Sequence, residues 1–489
     1  MSLSQALSSA NSGLASTSRR ADVSASNIAN ASTPGYVRRS VITSENVAGG
    51  QSGGVSITAI ERSQDLAVSR LRRDADSAAG RSSVIAQAYQ TLNTELGSPS
   101  DGYGLFATLE NLESALKNLE ATPESAALQN AVFSAANETT HQFNALSHLA
   151  TSLRETADSN IDKSVNKVNE SLYRLQDINA KFGSIDESSS EGAALEDERQ
   201  RLIDGIAEIL PIKDVVRDNG QVDILTSSGV YLLSGNVREL SFERAGTITE
   251  GDRLGEAGSR LSGLFVGEQN LTPGTDGRHS LQSGSLAGQF NIRDSVATDF
   301  SDSLDGLAAD LISRFSNDAL DPTKAAGAPG IFTDGGLAHD PANLSGTAAR
   351  LKLNNAINPN AGGDVSRLRD GIGATTPGNS GNTAIISGLV SAMTDRQNAP
   401  AGTNLQGQFS VIDSIAGLTS QIGEQTLRHD SINASTIARR DVLSDTELSR
   451  SAVDTDAELQ NLLIIEQAYA ANARVIQTIS DMIDRLMQI

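Results

Sequence analysis

"VDTDAELQNLLIIEQAYAANARVIQTISDMIDRLM", residues 453–487, carries the clearest periodicity in the chain. Leu462, Ile465, Tyr469, Asn472, Ile476, Ile479, Ile483 and Leu486 recur alternately three and four residues apart, the spacing of a narrow seam on an α-helix. Thr455-Asp-Ala-Glu458 has the form of a capping box and sets the expected start of that helix. A seam this narrow buries little by itself, so the segment needs a partner helix.

The opposite end of the chain offers one. Leu3, Leu7, Ala10, Leu14, Thr17, Ala21, Ser24 and Ile28 follow the same alternating spacing and predict a second amphipathic helix. It stops in "SNIANASTPGYVRR" (26–39), where Asn30 is a candidate left-handed cap, Pro34 pushes Thr33 out of the helical region, and Pro34-Gly35 supplies a turn. "YVRRSVIT" then alternates as an extended strand. Two readings stay open for these ends: they pair only with each other, or they pair and also leave apolar surface for neighbouring copies. The small residues outside the N-terminal seam allow close packing on more than one side and favour the second.

Between the ends, helical spacing runs from about residue 64 through Leu71, Ile85, Ala88, Leu92 and Leu96, then Leu105, Leu109, Leu112, Leu116 and Leu119. Thr122-Pro123 is an expected helix start, Thr as N-cap and Pro in the first turn. No Gly or Pro occurs from Glu124 to Phe182, which predicts one helix of roughly 90 Å at 1.5 Å per residue. "SIDESSSEG" (184–192) is an expected loop, and "ALEDERQRLIDGIAEIL" a short helix ending at Pro211. Short alternating or apolar runs separated by "RDNG" and "SSG" then predict a small antiparallel β domain. Helical spacing resumes at Ile292, residues 321–382 are rich in turn formers, and a further long helix is expected over about 403–448. The resulting fold class is mainly α with an inserted β domain (α+β), elongated, with paired terminal coiled-coil helices. The expected domains are 1–60 with 450–489 (inner terminal coiled coil), 61–211 with 291–449 (helical middle, loop-rich over 320–400), and 212–290 (inserted, β-rich).

Composition narrows the chemistry. A net charge of -22, from 60 acidic and 38 basic residues, argues against general affinity for nucleic acid. With no cysteine there is no disulfide frame and no thiol nucleophile. No run has transmembrane length, so no membrane insertion is expected. The N-terminus lacks a positive leader and apolar stretch, which predicts a cytosolic protein or one exported by an unconventional route. His141 and His148 could share a helix face, yet on a heptad helix they fit flanking positions better than metal ligands. "GQSGG" (50–54) matches a nucleophile elbow only formally, because Gly-rich loop surrounds it and no helix follows directly. Phosphate-binding loops and calcium-loop spacings are absent from the sequence, so no catalytic residue, metal or cofactor is assigned.

"ALSSANSGL" (6–14), "SNIANASTPGYVRR" and the 453–487 tail resemble the paired termini of bacterial flagellar axial proteins, the rod, hook and hook-associated subunits. The long helical region after the N-terminal motif is more similar to the hook-associated members, as are 195–225 and "GSLAGQFNIRDSV" (284–296). This resemblance implies a non-enzymatic adaptor that passes unfolded through the flagellar type III export channel and joins hook to filament. The implied partners are the hook protein, the second hook-filament junction protein, further copies of itself in a ring, and a cytosolic export chaperone on the C-terminal helix. Leu3, Leu7, Leu14, Ile28, Leu462, Ile465, Tyr469, Asn472, Ile476, Ile479, Ile483 and Leu486 would form the assembly interface. Asn27, Asn30, Pro34, Gly35 and Tyr36 would shape the exit from it. The rival readings are a hook or distal-rod subunit and, more remotely, a cell-wall-acting enzyme.

Overall fold

The computed structural model describes residues 3–33, 35–48, 51–182, 185 and 189–487; Pro34 of the turn motif and residues 184 and 186–188 of the expected acidic loop lie outside them. The chain begins with helix α1 (Leu3–Asn30) and a hairpin of β1 (Arg39–Ala48) and β2 (Gln51–Arg62). Three helices follow, α2 (Leu66–Leu96), α3 (Gly104–Ala121) and α4 (Ala126–Phe182), then α5 (Ser190–Ile209). The unbroken α4 has 57 residues, about 85 Å of helix, because nothing in it interrupts the backbone ladder.

An antiparallel sheet comes next, β3 (Ile212–Val216), β4 (Val222–Thr226), β5 (Tyr231–Ser234) and β6 (Asn236–Val237), in the order of the chain. A smaller one joins β7 (Leu240–Ser241), β8 (Phe265–Val266) and β9 (Gln269–Asn270). Helix α6 (Ser285–Asn291) passes through a π-turn (Ile292–Val296) into α7 (Ala297–Phe315). Short elements follow, β10 (Phe332–Asp334), α8 (Thr347–Arg350), β11 (Leu351–Leu353), α9 (Arg367–Asp370), α10 (Ala384–Thr394), β12 (Gln397–Asn398) and β13 (Gln408–Phe409). The chain ends in two long helices, α11 (Val411–Ser451) and α12 (Thr455–Met487). The architecture is mainly α with small antiparallel sheets.

Two large apolar clusters fill the body. One gathers the leucine seam of α3, the first half of α4, α7, α10 and the start of α11; Leu105, Leu109, Leu112, Leu116 and Leu119 are all buried there. Each contributes about 1.5–3 kcal/mol by leaving water. The other packs the second half of α4 against α5, α6 and the sheets. Between them Arg293 of the π-turn, fully buried, donates to Asp158 Oδ1 at 2.9 Å. Arg154 satisfies the carbonyls of Arg293, Thr249 and Asp252, so a polar knot ties α4 to the inserted segment.

Several local expectations are corrected. Asn30 is not left-handed, since positive φ among the described residues occurs only at glycine; its amide instead donates back to Ser26 O at 2.9 Å. Ser125, not Thr122, stands ahead of α4, its Oγ accepting from Leu128 N, while Thr122 closes α3. Asp454 caps α12, accepting from Asp456 N and Ala457 N, which frees Glu458 for another role. Helix resumes at Ser285 rather than Ile292, and α5 already starts at Ser190, inside the expected acidic loop. The helix placed at 403 begins at Val411, capped by Ser410. The interval 320–400 contains α10, a helix that its turn-rich surroundings disguised. Leu71 is exposed, on the rim of a shallow groove with Val442, rather than on the buried face of α2.

Candidate assembly surface on the terminal helix pair

α1 and α12 lie side by side and antiparallel. Ser24, late in α1, meets Glu458 at the start of α12, while Gly13, early in α1, faces Asn472 farther on. A Cβ on Gly13 would stand 3.0 Å from the Asn472 amide, so the absence of a side chain permits this close approach. The buried residues of α1 are Ala10, Ser16, Thr17, Val23, Ser24 and Asn27, which are small or polar. Those of α12 are Glu458, Ile465 and Ile479.

The proposed interface residues therefore divide. Ile465 and Ile479 are buried; Leu3, Leu14, Ile28, Leu462, Asn472 and Ile476 are half-buried; Leu7, Tyr469, Ile483 and Leu486 are exposed. Beyond the seam, Ile464, Val475 and Met482 are 62%, 45% and 48% exposed and recur at helical spacing along a second side of α12. The periodicity missed this second stripe. The uninterrupted "LLII" at 462–465, too wide for a two-per-heptad seam, was its signal.

At the upper end of the pair the turn motif becomes a hydrogen-bond hub. Asn27 is completely buried. Its amide donates to Arg39 O at 2.9 Å, and its Oδ1 accepts from Arg39 N at 3.1 Å and from the Tyr36 hydroxyl at 2.8 Å. One asparagine thus satisfies both backbone groups of a strand residue, as a neighbouring strand would. The Arg39 guanidinium lies over the Tyr36 ring, 4.8 Å from its centroid. Gly35 adopts φ +77 with its α-carbon against Arg201, where a Cβ would sit 2.6 Å from Cγ. Asn30 only closes its own helix turn and accepts from Thr33.

Five charged residues complete the site. Glu458 is buried and bonded to the Ser24 hydroxyl and, at 2.7 Å, to Arg38 Nε. Asp197 of α5 takes Arg39 Nη2 and Arg62 Nη2, each at 2.6 Å. The adjacent pair Arg38-Arg39 is thus shared between two carboxylates, one on α12 and one on the body. His141 and His148 lie exposed on α4, away from this site. The arrangement joins surfaces, its ion pairs each linking two elements.

Chain ends folded into one helical pair beneath an elongated body define a structural subunit of the flagellar axis, and both ends match models of that class. Residues 7–36 match the flagella basal body rod protein family and residues 446–489 the C-terminal region of flagellar basal body rod FlgEFG proteins. Residues 89–330 match the helical domain of flagellar hook-associated protein FlgK. Flagellar hook-associated protein 1 of Bacillus subtilis (strain 168) is 22% identical over 499 residues, covering 95% of this chain and 94% of that one. The flagellar hook junction protein FlgK from Burkholderia pseudomallei is a structural neighbour with TM-score 0.43 and 17% identity, covering 54% of this chain and 46% of its own. The chain thus carries a stretch similar to the helical domain of flagellar hook-associated protein FlgK between two terminal regions similar to those of flagellar rod-type subunits. It is a hook-associated structural protein of the flagellum, serving motility.

Proposed function

We propose that this protein joins hook to filament by helical self-association of its terminal pair, with no catalytic activity of its own. The observation that carries the reading is that α12, although paired with α1, still exposes Ile464, Val475, Met482, Ile483 and Leu486 to solvent. An apolar surface of that extent on a chain of net charge -22 marks a place where another protein surface is received. Within the pair, Asn472 meets Gly13 and Ile465 and Ile479 are buried, while the exposed Leu7, Tyr469, Ile483 and Leu486 would face neighbouring copies in a ring. Hook protein would lie on one side and the second junction protein on the other. The motif of Asn27, Asn30, Pro34, Gly35 and Tyr36 directs the chain from this inner coiled coil into the helical middle domain and the projecting β-rich domain.

The protein would reach that place through the flagellar export channel, without a cleaved signal peptide. A cytosolic chaperone would cover the apolar sides of α12 until then. No helix among the described residues is long and apolar enough to cross a membrane. Immunogold labelling of isolated flagella tests the assignment: the expected result is one band between hook and filament. Label along the hook shaft or within the rod would assign the protein to another axial position. A strain lacking the gene should complete its hooks and shed filament subunits into the medium; absence of hooks would overturn the reading.

A further inference from the structure

The terminal pair and its hairpin meet the body where apolar packing gives out. The three apolar clusters draw their members from the stretch between Val84 and Ile422, so among the described residues none reaches across this boundary. The chain crosses twice, through the short links 63–65, between β2 and α2, and 452–454, between α11 and α12. What fills the boundary is charge.

Arg39 and Arg62 are direct cross-strand partners in the hairpin, and their side chains are 8% and 6% exposed. Like charges set opposite each other on a sheet repel, and burial strengthens the repulsion. Asp197, equally withdrawn, accepts from both, and Glu196 accepts from Arg62 at 3.0 Å and from Arg199 at 3.1 Å. Close by, at the end of α11, Ser451 O accepts from Arg38 N at 2.9 Å and Arg450 pairs with Asp65, so the two crossing points are held beside each other at the edge of the seat.

We propose that Asp197 is the positioning residue of an electrostatic joint that fixes the direction of the terminal helix pair relative to the body. Without its carboxylate the hairpin presents two facing, buried guanidiniums to α5, and the seat opens. The body stays folded, because its apolar clusters do not extend to the seat, and the pair pivots on its two links. The consequence for how subunits stack rests on the assembly reading, but the joint is a property of the isolated chain and is tested there.

The chain has no cysteine, so spin labels can be placed at Gln467→Cys on α12 and Glu170→Cys on α4, both exposed sites outside the joint. Pulsed dipolar spectroscopy should give one narrow distance distribution in the parent chain. Asp197→Ala and the near-isosteric Asp197→Asn should at least double its width, with the melting transition of the body unchanged. A broad distribution in the parent, an unchanged one in both variants, or loss of the body's transition in both would overturn the proposal. Because the readout needs no ring or filament, it stands or falls independently of where the protein acts.

Discussion

Asn27 is a polar residue withdrawn wholly from water, and its amide answers both backbone groups of Arg39. Asn27→Ala leaves a buried N–H and C=O without partners and should cost the terminal module about 1–3 kcal/mol. Faster hydrogen exchange of the Arg39 amide, with α3 unaffected, is the expected measurement. A second residue with a sharp expectation is Asp305, which accepts from Gly346 N at 2.7 Å and Ala348 N at 2.8 Å. Burial outweighs these bonds and pushes its carboxyl up from 3.8 to about 6. The folded protein then holds this proton more tightly than the unfolded chain does. Its contribution to stability is full below pH 3.8 and is lost as pH rises through about 6. Asp305→Asn should flatten the pH dependence of Tm across that window, read from thermal melts; an unchanged slope would contradict the assignment. Asn27 was legible in the sequence as part of a turn motif. The ion pairs of Asp197 and Glu458 were not, Glu458 reading as part of a capping box, because a carboxylate's partner 158 or 420 residues away leaves no periodic trace.

The helices of the body were legible because their apolar residues repeat over many turns. The α3 seam and the unbroken α4 follow directly from leucine spacing and the lack of Gly and Pro. Leu112→Ala, at a site 1% exposed, should cost about 2–5 kcal/mol and lower the midpoint of urea unfolding. Helix ends were less legible, since several residues compete for each cap. Ser125 prevails over Thr122, and Asp454 over Thr455, because side-chain geometry rather than order in the chain decides which oxygen meets the free N–H groups. α10 was hidden for another reason: its buried stripe of Ile385, Ile386, Leu389, Ala392 and Met393 lasts only eleven residues and follows a long stretch of turn formers.

Across the whole molecule, order is expected to be uneven. The second half of α4 buries Ile161, Val165, Val168, Leu172 and Leu175, whereas α12 buries two isoleucines and one glutamate over its length. In the isolated monomer, amides of α12 beyond Ile479 should exchange at least a hundredfold faster than those of α4 from Ile161 to Ile178. Equal protection would mean that the pair is already at full stability without neighbours. The pairing of the ends was legible from matching seams. The manner of their attachment was not, because it rests on ion pairs from α5 whose partners lie far away in the chain.

Ser24 and Glu458, which touch at the head of the terminal pair, are 434 residues apart in the chain. Bringing together the ends of a flexible loop of that length costs about 5 kcal/mol in entropy, more than so small a contact returns. Once the body has formed, Arg450 and Asp65 already hold the two strands side by side, and that cost has been met. A folding order follows from connectivity alone: α1 finds α12 last, after everything between them is in place. A chain that emerges with its middle still unfolded presents two separate, unpaired ends, and only a finished body turns them into one.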